Sequence, residues 1–267
     1  MQTYDHHFLE DPFRDLKVNA AMVGISDQRW EHVTEAEASN EVSIQSRMRE
    51  KQFDVMPIVS AAGTQEYFVT AVWNDYSTIV RKQIGDEDLI PYDTDLHEVI
   101  RRFALDQRHF YFLSGPKPVV GLISIVNLNC RQVKVFLFNL MAELELALTT
   151  LINRHLSDAD LLAMAEGRTG DFAQSRQSYK EAKHEGVDAP FVEYLTLPTL
   201  INVIISQGLY KELGYSRTRF EKLGGLRKLR NDVAHPARSL VIDQPSCVKL
   251  WEKLQLLEEV LARWRET

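Results

Sequence analysis

The chain has 267 residues, 45% of them hydrophobic and 26% charged, with a formal net charge of −7. These are the values of a folded globular protein with room for two cores, and they argue against a disordered chain and against broad, non-specific nucleic-acid affinity. Cys130 and Cys247 lie far apart with no CxxC or nearby His spacing, which argues against a disulfide framework and a zinc site and predicts buried thiols.

Uninterrupted apolar runs fall short of the roughly 18 residues a membrane span needs, and MQTYDHHFLEDPF lacks a cationic, apolar leader plan. A cytoplasmic protein with no membrane contact is therefore expected. Residues 1–31 read as an N-terminal arm. An internal repeat follows over 32–132: FDVMPIVSAAGTQEYFVTAVW (53–73) aligns without a gap on QRHFYFLSGPKPVVGLISIVN (107–127), displaced by 54 residues. In each copy an apolar strand (55–59; 110–113) meets a glycine-bearing turn and a second strand (67–69; 119–123). Amphipathic helices are predicted before each pair, at 35–50 and 96–105, the second started by DTD at 93–95. Thr70 and Ser124 occupy matching positions, and each is expected to open a helix by capping its free N–H groups. The predicted order is β-α-β-β-α, twice.

This tandem unit resembles a pair of CBS domains, the cystathionine β-synthase module, whose copies associate pseudo-symmetrically and bind adenine nucleotides in the cleft between them. The resemblance rests on Gly121-Leu-Ile-Ser124-Ile-Val-Asn127, which fits the family's Gly, apolar, any, Ser/Thr, any, any, Asp/Asn. It implies AMP, ADP or ATP as a regulatory ligand held by Gly121, Ser124 and Asn127, with Thr94 as a further polar contact. A small residue lets the ligand approach the strand, a hydroxyl at a helix start faces phosphate, and an amide one turn on reaches ribose. The first copy has Tyr67 for the Gly and Trp73 for the Asn, so only Thr70 remains there. The same Ser and Asn also serve as helix caps in a purely structural module.

The second half, 133–267, is helical by pattern. VKVFLFNLMAELELALTTLINRHL (133–156) is long and apolar, SDADLLAMAEG (157–167) starts with a Ser/Asp cap, and helices are expected at 173–185, 197–207, 220–234 and 248–265. An all-α bundle behind a strand-bearing half makes the fold α+β. Within it LRKLRNDVAHP (226–236) places Leu226, Leu229 and Val233 on one face and Arg227, Asn231 and His235 along another, with Arg230 beside them. Pro236 is expected to stop the helix. Seven Lys/Arg between 217 and 238 face only Glu221 and Asp232 in sequence, a local phosphate footprint or a solvated face.

LRNDVAHP resembles the signature of the HEPN superfamily of helical domains: Arg, four to six residues, then His, commonly with a polar residue after the Arg. As architecture the resemblance covers 133–265. It implies a metal-independent endoribonuclease whose site forms between two motif helices of a homodimer, with Arg230, Asn231 and His235 catalytic and Arg227, Lys228 and Arg238 contacting RNA. The residue types suit attack by a neighbouring 2′-hydroxyl, since histidine, near 6.5 when unperturbed, moves protons around neutrality and arginine holds a phosphate bidentately. No cofactor or metal is expected for catalysis. Together the two resemblances imply a nucleotide-regulated ribonuclease of a defence or stress system. The alternative is a non-catalytic adenine-nucleotide sensor whose helical domain dimerises or docks a partner.

Overall fold

The computed structural model describes residues 17–266, an α+β protein whose described strands all precede Ile125 and whose later half is helical. The chain divides into two compact units, residues 17–133 with 239–249 and residues 134–238 with 250–266.

The first unit holds two four-stranded sheets. One runs β2 (Val33–Thr34), β3 (Val55–Ser60), β4 (Gly63–Val72), β5 (Asp75–Gln83), with β2 and β3 parallel and the others antiparallel. The other runs β1 (Ile25–Ser26), β8 (Gly121–Ser124), β7 (Phe110–Ser114), β6 (Leu89–Pro91), with β6 and β7 parallel. A helix makes each parallel crossover: α2 (Glu41–Lys51) in the first half and α3 (Leu96–Asp106) in the second. Asn40 caps α2 by accepting from the Ser43 N–H at 3.1 Å, and Asp95 caps α3 by accepting from the His97 N–H at 2.8 Å. Each helix ends on a left-handed glutamine, Gln52 (φ 56°) and Gln107 (φ 54°), so the two halves share their turns as well as their strands. Trp30, Val55, Tyr67, Phe112 and Val119 form one buried cluster, in which Tyr67 meets Phe112 edge-on at 5.1 Å. Ile44, Met48, Met56, Ile58 and Phe68 form another, on α2 and its own sheet.

The first half departs from the expected β-α-β-β-α order. Thr70 does not open a helix; it lies inside β4, and β5 follows. Trp73 and Asn74 form a two-residue hairpin loop between the paired Val72 and Asp75, and Asn74 takes a positive φ (61°), which its short polar side chain tolerates. The α2 helix also starts later than expected, after a 3-10 turn at Glu37–Ser39. In the second half Ser124 opens a 3-10 turn, Ile125–Asn129, before the next long helix.

Residues 17–31 are not an arm, while 1–16 lie outside the described residues. The short helix α1 (Ala20–Val23) is capped by Asn19, and β1 adds to the second sheet beside β8. Two glycines permit that contact: a Cβ on Gly24 would stand 2.8 Å from the Leu122 carbonyl oxygen, and one on Gly121 only 2.6 Å from that of Ile25. The boundary at 132 also needs correction at the other end, because 239–249 returns to the first unit. The Asn129 amide latches it, donating to the Val241 carbonyl at 2.6 Å and accepting from the Leu240 and Val241 N–H groups at 2.6 and 3.0 Å.

The second unit is built on α4 (Arg131–His155), α5 (Asp158–Ala165), α6 (Asp171–His184), α7 (Leu197–Gln207), α8 (Arg217–Glu221), α9 (Leu226–Ala234) and α10 (Gln244–Arg265), with α4 contributing from Lys134 and α10 from Leu250. The single helix expected at 220–234 is broken, since Gly224 and Gly225 fall in a 3-10 turn (Lys222–Gly225) between α8 and α9. Glycine disfavours helix by about 1 kcal/mol per residue relative to alanine, enough to let the chain re-aim here. By length and composition α4 is apolar enough to cross a membrane. In this fold Leu137, Met141, Leu144, Leu148, Leu151 and Ile152 bury one face of it, while Glu143 pairs with Arg265 and Glu145 with Arg230. That is the pattern of a core helix in a bundle.

Candidate functional site

The α9 helix buries Leu226, Leu229 and Val233 and leaves Arg227, Lys228 and Arg230 exposed. Its last helical residue is Ala234. His235 follows in extended geometry (φ −108°, ψ 107°), as a residue before proline must, so the stripe of Arg227 and Asn231 stops one residue short of the imidazole. The His235 side chain is exposed.

What fixes this turn is a residue the sequence reading passed over. Lys134, near the start of α4 and only 7% exposed, donates from Nζ to the carbonyl oxygens of Pro236 and Arg238 at 2.6 Å each and of His235 at 3.2 Å. An ammonium has three donors, and all three are used on main-chain carbonyls of the turn after α9. A lone cation in the apolar string VKVFLF was the available signal, since a buried lysine needs partners.

The neighbouring charges are mostly matched. Buried Asp232 accepts from Lys228 Nζ at 2.6 Å and lies 3.6 Å from Arg238. Arg230 Nε donates to Glu145 at 3.3 Å, and Arg227 stands 3.8 Å from Asp171. Arg227, Arg230 and Asn231 come together around a cavity of about 190 Å³ that Asp171 and Thr196–Pro198 complete; His235 is not among its lining residues. Thus Arg230 and Asn231 share a site within one chain, while the imidazole faces solvent beside it.

In the first unit the proposed nucleotide contacts are engaged internally. Ser124 donates from both its N–H (2.7 Å) and its hydroxyl (2.8 Å) to Asn127 Oδ1. Gly121 is small because Ile25 presses on it. The Thr70 hydroxyl donates to buried Asp54 at 2.9 Å, and Asp54 also accepts the Asn74 N–H at 2.6 Å. Thr94 is half-buried in the turn before α3, its carbonyl accepting from the Ala20 N–H. Tyr67, in the place of the family's glycine, donates to buried Asp88 at 3.3 Å, and burial pushes its hydroxyl up to about 12. Of the two thiols Cys247 is buried, which raises it to about 12, and Cys130 is half-buried.

Trp73, in the place of the second family position, stacks on His109 with centroids 4.4 Å apart. The His109 Nδ1 is buried without a hydrogen-bond partner. Burial lowers the His109 pKa, and the nearby Asp54 opposes this only in part. Between the usual histidine value and the lower folded one the unfolded chain binds more protons, so stability falls as pH drops below about 6.5. Melting temperature should decline from pH 7.5 to 5.5, and His109→Phe, which keeps the stack, should flatten that decline. An unchanged slope in the variant would assign the acid sensitivity elsewhere.

Among the described residues no three His, Cys, Asp or Glu side chains gather as a metal ion would need. Comparisons with protein-family models, with curated proteins and with solved structures find no match to this chain. The residues themselves therefore carry the functional argument.

Proposed function

We propose that the helical unit is a metal-independent endoribonuclease of the HEPN kind, acting as a homodimer in the cytoplasm. The α+β unit would serve as a CBS-like module through which an adenine nucleotide controls it. The observation that supports this most directly is the exposed His235 at the first non-helical residue after α9, on a turn whose carbonyls Lys134 holds in place. A general acid or base must be both accessible and fixed in position.

In this mechanism His235 exchanges the proton of the attacking 2′-hydroxyl or of the leaving 5′-oxygen. Arg230 holds the phosphate; its present link to Glu145 is solvent-exposed and long, worth under about 1 kcal/mol, and a phosphate displaces it readily. Asn231 orients the phosphate or Arg230. Since His235 does not line the Arg230–Asn231 cavity of its own chain, a second copy would complete the site. A nucleotide on the other unit would take over the Ser124–Asn127 pair, with Thr94 as a further polar contact; Gly121 and Thr70, occupied by the Ile25 carbonyl and by Asp54, would not contribute.

Single-stranded RNA incubated with the protein in EDTA should yield fragments ending in 2′,3′-cyclic phosphate, at a rate that AMP, ADP or ATP alters. No cleavage under any nucleotide condition, or cleavage that EDTA stops, overturns the proposal. A non-catalytic docking module is the second reading. It is favoured by the ion pairing of six of the seven cations between 217 and 238, all but Lys222 among the described residues.

A further inference from the structure

A second cleft of the helical unit has no lining residue in common with the His235 turn. It measures about 630 Å³, and its walls are the turn from α5 into α6, one side of α7, and Arg217 and Arg227. That size is in the range of small-ligand sites, for which about 300–1,000 Å³ is usual. Three guanidinium groups, Arg168, Arg217 and Arg227, reach it against one carboxylate, Asp171. In a chain of net charge −7 such a local excess of cations is conspicuous.

These cations are available. Arg168 is exposed and has no carboxylate partner among the described residues. The Arg217–Glu221 pair is an exposed i,i+4 contact, and Arg227 and Asp171 stand 3.8 Å apart, both partly exposed. Contacts of this kind contribute little, so a multiply charged anion gains more from the three arginines than it displaces. The first turn of α6 opens on the same cleft, and its N-cap, Gly170, has no side chain to occupy the free N–H groups. Met164 and Phe172 add an apolar wall, and Asn202 and Ser206 add neutral hydrogen-bonding groups.

We propose that this cleft binds a nucleoside polyphosphate, the phosphates on Arg168, Arg217 and Arg227 and the base against Met164 and Phe172 with Asn202 beside it. The site is separate from the CBS-like residues and does not depend on the chain being a ribonuclease. The cleft shares Asp171, Pro198 and Arg227 with the smaller cavity around Arg230 and Asn231, so its occupant adjoins the motif helix.

Titration calorimetry on the full chain with ATP, inorganic tripolyphosphate and a single-stranded ten-nucleotide RNA tests this. ATP should bind more tightly than tripolyphosphate, and Arg168→Gln should weaken both roughly tenfold, as the loss of one charge-assisted contact does. Asn202→Asp, which adds a carboxylate at an exposed position without removing any packing, should weaken both as well. Lys180→Gln, which removes an exposed cation elsewhere on α6, should leave both unchanged. ATP affinity untouched by Arg168→Gln and by Asn202→Asp overturns the proposal, as does failure of both ATP and tripolyphosphate to bind. So does binding of the RNA alone, lost in Arg168→Gln, which would make the cleft a track for a polynucleotide. None of these readings requires cleavage, so an inactive ribonuclease would leave the result interpretable.

Discussion

His235→Ala is expected to abolish RNA cleavage while leaving the fold intact. General acid or base catalysis by a placed side chain accounts for about 10²- to 10⁴-fold in rate. The imidazole is exposed, so its removal should change stability by less than about 0.5 kcal/mol. Arg230→Ala should be equally silent in a melting curve, since its exposed pair with Glu145 is worth under about 1 kcal/mol, and should cost about 10²- to 10³-fold in cleavage by removing the charge that faces the phosphate. The two variants separate the readings of α9. A capping or packing role predicts early unfolding and no activity to lose. Cleavage by His235→Ala at the wild-type rate, measured on end-labelled RNA, would remove His235 from the mechanism.

Lys134→Met is expected to have the largest effect on stability of any single change near the motif. Methionine fills much the same volume but leaves the carbonyls of His235, Pro236 and Arg238 without the Nζ that now serves all three. Losing hydrogen bonds to a charged group costs about 1.5–3 kcal/mol, and a drop in melting temperature of roughly 3–12 °C follows for a chain of this size. Activity should fall further than stability alone accounts for, because the turn carrying His235 is no longer held. Lys134→Arg keeps the charge but offers a planar fork in place of a compact ammonium, and should rescue only part of either loss. If Lys134→Met melts and cleaves like the wild type, the turn is set by Pro236 alone.

The periodic parts of this chain were legible without coordinates. Leu96, Val99, Ile100, Phe103 and Ala104 bury one face of α3 as their three- and four-residue spacing predicts, and α7 spans Leu197–Gln207 as expected, closed by left-handed Gly208 (φ 72°). The Ser157 cap opens α5 with Asp160 reciprocating. The end of α9 was legible as well, because proline constrains the residue before it locally. All of these depend on neighbours within a few positions.

Tertiary structure decided what depends on distant partners. Sequence aligned Thr70 with Ser124, yet the tight turn at Trp73–Asn74 sends Thr70 into a hairpin, while Ser124 leads into a helix. Gly121 read as room for a ligand, but only the fold shows that the Ile25 carbonyl takes that room. The arginines of the basic island read as free, whereas their partners Glu145 and Asp171 are supplied by α4 and α6, far away in the chain. Lys134 reads as an interruption of an apolar helix, and it becomes the anchor of the His235 turn because its three acceptors lie about a hundred residues away. Helical periodicity and local caps act through the backbone over one or two turns; the pairing of charges and carbonyls depends on which segments the core brings together.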